Sequence, residues 1–151
     1  MKNSKNKKFT CKGINNALAL LESNRFEILS IDILKGGRAY GDPRLKNLID
    51  NHLVSHFSKN QFYKKYNDGR TQGIIVEFYG KLIESRLPDF KNKSNVCLLA
   101  LDQIEDPQNF GQIIRTAECA GINGILFPQH HSVPITQTVL QVSQGAFVNM
   151  P

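Results

Sequence analysis

The run of residues from Asn95 to Pro128 leaves this chain little choice of architecture. "NVCLLALD" is a near-continuous apolar segment, the pattern of a parallel strand buried on both faces. Asp106 can accept from the free amides of a helix start, and Pro107 has the fixed φ suited to a first helical position. Beyond them Phe110, Ile113, Ile114, Ala117 and Ala120 repeat at helical spacing, and Gly121 is the expected C-cap. "INGILFP" reads as a second strand, and Thr136 is expected to open a helix over "TQTVLQVSQGA". The order is β-α-β-α, which predicts parallel pairing with right-handed crossovers and an α/β fold.

The first half reads as a smaller α/β unit. "GINNALALLESN" is a predicted helix, with Ile14, Ala17, Leu18 and Leu21 at helical spacing. "FEILSIDIL" is a predicted strand with Phe26, Ile28, Ser30 and Asp32 on one face and Ile31 and Ile33 on the other. "DPRLKNLIDNHLVSHF" is expected to be one helix: Asp42 caps it, Pro43 opens it, and its stripe runs Leu45, Leu48, Ile49, His52, Leu53, Phe57. After a turn at Asn67-Asp68-Gly69, "IIVEFYG" is a strand that closes the unit. "KLIESRLPDFKNKSN", polar around Pro88, reads as a linker. The expected organisation is therefore a basic tail over 1–12, a small domain over 13–80, a linker over 81–94 and a second domain over 95–151.

Charge is distributed unevenly. Residues 1–94 carry 18 of the 19 Lys and Arg and nine of the 13 Asp and Glu, a net of +9 against −3 for the remainder. Lysine and arginine supply most non-specific affinity for nucleic acid, and "FSKNQFYKKYNDGR" mixes bases with aromatic rings that can stack. Lys5, Lys7, Lys8, Lys12, Lys64, Lys65 and Arg70 are the candidate RNA-binding cations; a solvated basic surface is the alternative. The three cysteines, Cys11, Cys97 and Cys119, are odd in number and far apart, so neither a disulfide framework nor a zinc site is expected. His52 and His56 lie four apart without a third ligand, and no metal is expected. No apolar run is long enough for a membrane span, and the lysine-rich start lacks both a signal peptide's apolar core and a presequence's arginines. The expected location is the cytoplasm.

Arg115 is the sole Lys or Arg after Lys93. On a helical wheel it lies nearly opposite the apolar stripe, with Gly111 one turn earlier leaving space beside it. A helix that follows a parallel strand begins at the carboxyl edge of the sheet, where α/β folds bind ligands. The alternative is a solvated helix face with Arg115 paired to Glu118. There is no G-x-G-x-x-G or Walker loop, so nucleotide binding of those kinds is unsupported. His130 and His131 either contact RNA or end a loop.

"LDQIEDPQNFGQIIRTAECAGINGILFP" resembles the first signature motif of the SpoU branch of the SPOUT RNA methyltransferases, which form 2′-O-methylribose from S-adenosylmethionine. "VSQGAF", followed by Pro151, is similar to that family's Ser-x-Gly-Ala segment. "GINNALALLES" and "TQGIIVEF" resemble its L30e-like substrate-binding domain, with Thr71 standing where many relatives carry histidine. The resemblance runs over nearly the whole chain from Gly13. It implies an L30e-like domain followed by the first β-α-β-α part of a SPOUT (α/β knot) methyltransferase domain. It further implies Asn109 and Arg115 as active-site residues, and structured RNA, by preference large-subunit rRNA, as partner.

The implied chemistry suits these side chains. A ribose 2′-hydroxyl attacks only once its developing negative charge is stabilised or its proton removed, and a guanidinium can do the first. Asn109 can orient the hydroxyl or the loop through its amide. S-adenosylmethionine is the family's cofactor, held by later Gly-x-Glu and Ile-Pro…Ser-Leu-Asn motifs that thread a trefoil knot and have no counterpart in these 151 residues. The expectations are that none binds this chain tightly, that the chain does not methylate alone, and that the family's dimerisation through the knot is not carried over. An open sheet edge and exposed apolar surface after Asn95 are expected too. A non-catalytic RNA-binding module or degenerate copy is the competing reading.

Overall fold

The computed structural model describes residues 7–50, 53–67, 70–91 and 94–151. It divides into two compact units, Met1–Lys81 and Leu82–Pro151. The expected tail is partly a strand: β1 (Lys8–Lys12) pairs antiparallel with β4 (Ile74–Tyr79) in the register Lys8 to Tyr79 and Lys12 to Ile75. Local composition read this lysine-rich stretch as a tail, but a buried Cys11 and the stacking of Phe9 on Phe78 at 5.6 Å draw the segment onto the sheet. Burial pushes the Cys11 thiol up to about 12.

α1 (Ile14–Glu22) follows β1 directly, burying Ile14, Ala17, Leu18 and Leu20. β2 (Glu27–Leu34) then runs antiparallel to β4 and parallel to β3 (Val54–Phe57), giving the order β1-β4-β2-β3. β4 is therefore central, and the burial of Ile74, Ile75, Val76 and Phe78 reflects strands on both sides of it.

The helix expected to run to Phe57 ends early. α2 covers Pro43–Ile49, capped as expected by Asp42, whose carboxylate accepts from Arg44 N at 3.0 Å. The chain then extends into β3, where Ile31 N donates to Leu53 O at 3.0 Å and Lys35 N to Phe57 O at 2.9 Å. Pairing with β2 gives one edge of Val54–Phe57 backbone partners, and that tertiary gain overrides the helical pattern. His52 lies outside the described residues.

α3 (Lys59–Lys65) was not anticipated. Its signal is present, since Ser58 and Gln61 form a capping box in which Ser58 N and Oγ donate to Gln61 Oε1 at 3.1 and 2.8 Å. The helix buries Phe62 in a cluster with Leu34 and Ile75.

In the second unit β5 (Leu98–Ala100) and β6 (Gly124–Leu126) pair in parallel across α4 (Pro107–Cys119), as the strand pattern requires. Gly121, at φ 73, ends α4 as expected: Gly121 N donates to Glu118 O and Ile122 N to Ala117 O, each at 3.0 Å, a Schellman closure. α5 spans Gln137–Val142, shorter than the expected helix, with Thr136 Oγ1 accepting from Val139 N at 3.3 Å. It stops because Gln144 and Gly145 turn left-handed.

The 81–94 stretch has no regular structure among its described residues. Leu82–Ser85 nevertheless help line a cavity of about 410 Å³ in the second unit, with Phe110, Ile114 and Phe127 on other walls. Ile83, Leu87, Val96 and Leu126 remain exposed.

Candidate functional site

Two loops meet at the carboxyl ends of β5 and β6. Val133 N donates to Ile104 O at 2.7 Å, and Leu101 N to Leu126 O at 2.8 Å. Gln103 and His131, one in each loop, are held at φ 49 and 58, in the left-handed region that non-glycine residues occupy at a cost. Asp106 then starts α4 by accepting from Gln108 N at 2.7 Å.

Asn109 sits on the first turn of α4 and is exposed. It borders an open groove with Leu99, Ile104, Gln112, Ile113 and Thr116. The stripe expected to be buried is thus only partly covered: Phe110, Ile114 and Ala117 are buried, whereas Ile113 and Ala120 line this groove.

Arg115 is exposed too, and it forms no hydrogen bond or ion pair among the described residues. At roughly 100° and 1.5 Å per residue, it lies about 9 Å along the axis from Asn109 and a third of a turn around it. The two side chains leave different faces of one helix, so a substrate engaging both would wrap partly around it.

The Arg115–Glu118 pair of the alternative reading does not form. Glu118 instead accepts from Asn149 Nδ2 at 3.1 Å, which leaves the guanidinium uncommitted. Nor does Gly111 clear space for Arg115. A Cβ there would stand 2.7 Å from Val142 Cβ and 3.0 Å from Val139 O, so the missing side chain lets α5 pack against α4. In the Ser-x-Gly-Ala segment Ser143 is fully buried, donating from Oγ to Leu140 O at 3.0 Å, and Gly145 at φ 96 makes the turn.

The candidate RNA-binding cations do not form one patch. Lys7, Lys8 and Lys12 belong to the β1 edge of the first unit's sheet, whereas Lys64 and Lys65 end α3, which packs on β2 and β3. Lys8 Nζ is 2.8 Å from Glu77, Lys7 lies 5.5 Å from the Phe9 ring, and Lys64 is exposed. Lys12 is half-buried and Arg70 exposed, each with a partner of its own. Lys5 lies outside the described residues.

Lys65 is committed elsewhere. Its Nζ sits 2.6 Å from Asp32, which also accepts from Tyr66 Oη at 2.6 Å. The hydrogen bond it donates to Asp32 is the main reason the Lys65 ammonium is held above its ordinary range. Burial, and then Asp32, push the Tyr66 phenol up to about 12. Asp32 itself is 5% exposed, so this ion pair anchors α3 rather than gripping a polyanion. Its place in an apolar strand was the available signal.

Among the described residues no group of three or more His, Cys, Asp or Glu is placed to hold a metal, and His56 packs edge-on against Tyr40 instead. S-adenosylmethionine requires polar groups for a ribose, an ammonium and a carboxylate besides an apolar slot for adenine. The cavity of the second unit has mostly apolar walls, with Glu84, Ser85, Gln129 and the buried, unpartnered Ser132 Oγ as its polar lining.

The SpoU rRNA Methylase family model matches residues 97–151, which include both loops and the whole of α4. That segment belongs to the SpoU family. A Staphylococcus aureus protein assigned to the TrmH family of tRNA/rRNA methyltransferases is 46% identical over 111 residues, covering 71% of this chain and 45% of the relative. The 23S rRNA (guanosine-2′-O-)-methyltransferase RlmB of Haemophilus ducreyi is 29% identical over 147 residues, 92% of this chain and 58% of that protein.

Solved structures share the SpoU-type fold. An AdoMet-bound rRNA methyltransferase from Sinorhizobium meliloti superposes with a TM-score of 0.65 at 20% identity, over 95% of this chain and 52% of that one. An RNA 2′-O ribose methyltransferase gives 0.69 at 18%, over 95% and 53%. The chain spans about half the length of the relatives it matches.

Proposed function

We propose that this chain supplies the RNA-binding domain and the Arg115 helix of a ribose 2′-O-methyltransferase acting on structured RNA, by preference large-subunit rRNA. The observation that carries the reading is Arg115 itself. It is a solvent-facing guanidinium without a partner among the described residues, on the helix that opens from the carboxyl edge of a SpoU-family β-α-β unit. In a full-length enzyme S-adenosylmethionine supplies the methyl group. Arg115 binds the phosphate beside the target ribose and stabilises negative charge growing on its 2′-oxygen. Asn109, on the first turn, orients the hydroxyl or the neighbouring backbone through its amide.

A chimera tests this. The matching part of the Staphylococcus aureus relative is replaced by this chain, and the fusion is incubated with radiolabelled S-adenosylmethionine and ribosomal RNA. The expected product is 2′-O-methylribose, with Arg115→Ala slowing turnover about 10²-fold or more and RNA affinity little changed. An active chimera whose Arg115→Ala form turns over normally sinks the role of Arg115. The 151-residue chain alone is expected to transfer no methyl group, because the family's Gly-x-Glu and Ile-Pro…Ser-Leu-Asn cofactor motifs have no counterpart in these residues. The alternative, RNA binding without catalysis, is favoured by the concentration of cations in residues 1–94. It is supported if the folded chimera binds RNA and gives no methylation.

A further inference from the structure

We propose that Tyr40, packed edge-on against His56, is a stacking platform for an unpaired RNA base, with Lys35, Arg38 and Lys59 positioned to meet its phosphates. The proposal rests on the RNA-binding reading above and assigns a site that the sequence reading did not include. Tyr40 is 54% exposed although its ring is large and apolar. Its centroid lies 5.8 Å from that of His56 at an interplanar angle of 86°, so the histidine braces the tyrosine ring from one side.

The loop beneath the ring is firmly built. Gly37 N donates to Leu34 O at 3.0 Å, Tyr40 N to Gly37 O at 3.2 Å, and Ala39 N to Gln72 O at 3.1 Å. Ala39 is 2% exposed. Gly73, at φ 80, lets the two loops close up, since a Cβ there would lie 3.3 Å from Leu34 Cβ, and Gly36, at φ 71, makes a left-handed turn. A ring held this way loses little conformational freedom when a base lands on it.

The same end of the sheet gathers cations. Lys35 leaves the end of β2 hydrogen-bonded through its backbone to Phe57, and Lys59 opens α3 two residues beyond Phe57. Arg38 precedes the Ala39–Gly41 turn. All three are exposed, and none has a hydrogen-bonded carboxylate among the described residues. Arg44 is different: its guanidinium is clamped by Asp42 at 2.7 and 3.0 Å, so it is not counted. An exposed aromatic at the same end of the sheet as exposed cations is the composition that takes single-stranded nucleic acid, because every base offers a π-face and every nucleotide a phosphate.

The test is fluorescence anisotropy of the whole chain with a labelled single-stranded RNA of about 12 nucleotides, against the matching duplex. Tyr40→Ala is expected to weaken single-strand binding about tenfold and Tyr40→Phe by less than about twofold. The salt dependence of Tyr40→Ala should match wild type, whereas Lys35→Ala should lower the slope by about 0.7. Leu87→Ala, which removes a 58% exposed apolar side chain in the second unit, serves as the control and should bind normally. Circular dichroism confirms that each variant is folded.

Normal single-strand affinity in folded Tyr40→Ala, or an equal loss in Leu87→Ala, overturns the platform while leaving the RNA-binding reading intact. A wild-type chain that binds neither RNA overturns both.

Discussion

Replacing Gly111 by alanine pits helix propensity against packing, and the geometry decides which wins. Mid-helix, the exchange should gain about 1 kcal/mol from the lower entropy of alanine. Against that, the new methyl would stand 2.7 Å from Val142 Cβ, 2.9 Å from Val142 Cγ1 and 3.0 Å from Val139 O. Two of these three atoms, the carbonyl oxygen and the Cβ, are fixed by α5 itself, so turning one side chain gives no relief and the helices must separate. Overpacking of this kind costs about 3 kcal/mol at the upper end of its usual range, leaving a net loss of about 2 kcal/mol. Urea unfolding followed by circular dichroism should show the midpoint for the second unit falling by roughly 1 M, given slopes of about 1–3 kcal/mol/M for small domains. Adding Val142→Ala removes Cγ1 but keeps Cβ, so it should restore only part of the loss. A Gly111→Ala midpoint at or above wild type refutes the close-packing argument.

The Tyr66 phenol, pushed up to about 12, should appear as a late component in an ultraviolet titration of tyrosinate, and Tyr66→Phe should abolish it. Because the folded chain retains a phenol proton that the unfolded chain gives up near pH 10, this group's contribution to stability is complete below about pH 10 and declines as pH rises towards 12. Thermal unfolding of wild type and Tyr66→Phe across that window measures the difference; parallel curves would remove the group's contribution. Towards a thiol reagent at neutral pH, Cys97 and Cys119 are exposed and should react first, with Cys11 labelled only on unfolding. Rapid labelling of Cys11 in folded protein would contradict its burial.

The second unit was the more legible of the two because its signals are local. Asp106 and Pro107 start α4 and Gly121 ends it through groups within a few residues, so the sequence states them directly. The first unit depends on partners far along the chain. β1 is a strand because β4, more than sixty residues later, supplies its backbone partners, and Val54–Phe57 leaves the helix pattern because β2 offers an edge. Among the site residues, Asn109 and Arg115 were legible as types in a motif. The fate of Glu118 was not, since its partner Asn149 arrives only when α5 and the turn beyond it fold back. Lys65 illustrates the same limit: charge alone offered it to RNA, and only the fold shows Asp32 claiming it.

Gln72 joins three segments of the first unit. Its backbone carbonyl takes the amide of Ala39, its side-chain Oε1 takes the amide of Ile14 at 2.8 Å, and its own φ of 52 sets the approach to β4. The start of α1 and the Tyr40 loop are thus fastened to one amino acid and cannot shift independently. A pull exerted on the loop would be transmitted to the helix through a single amide side chain, making this corner of the sheet behave as a rigid bracket.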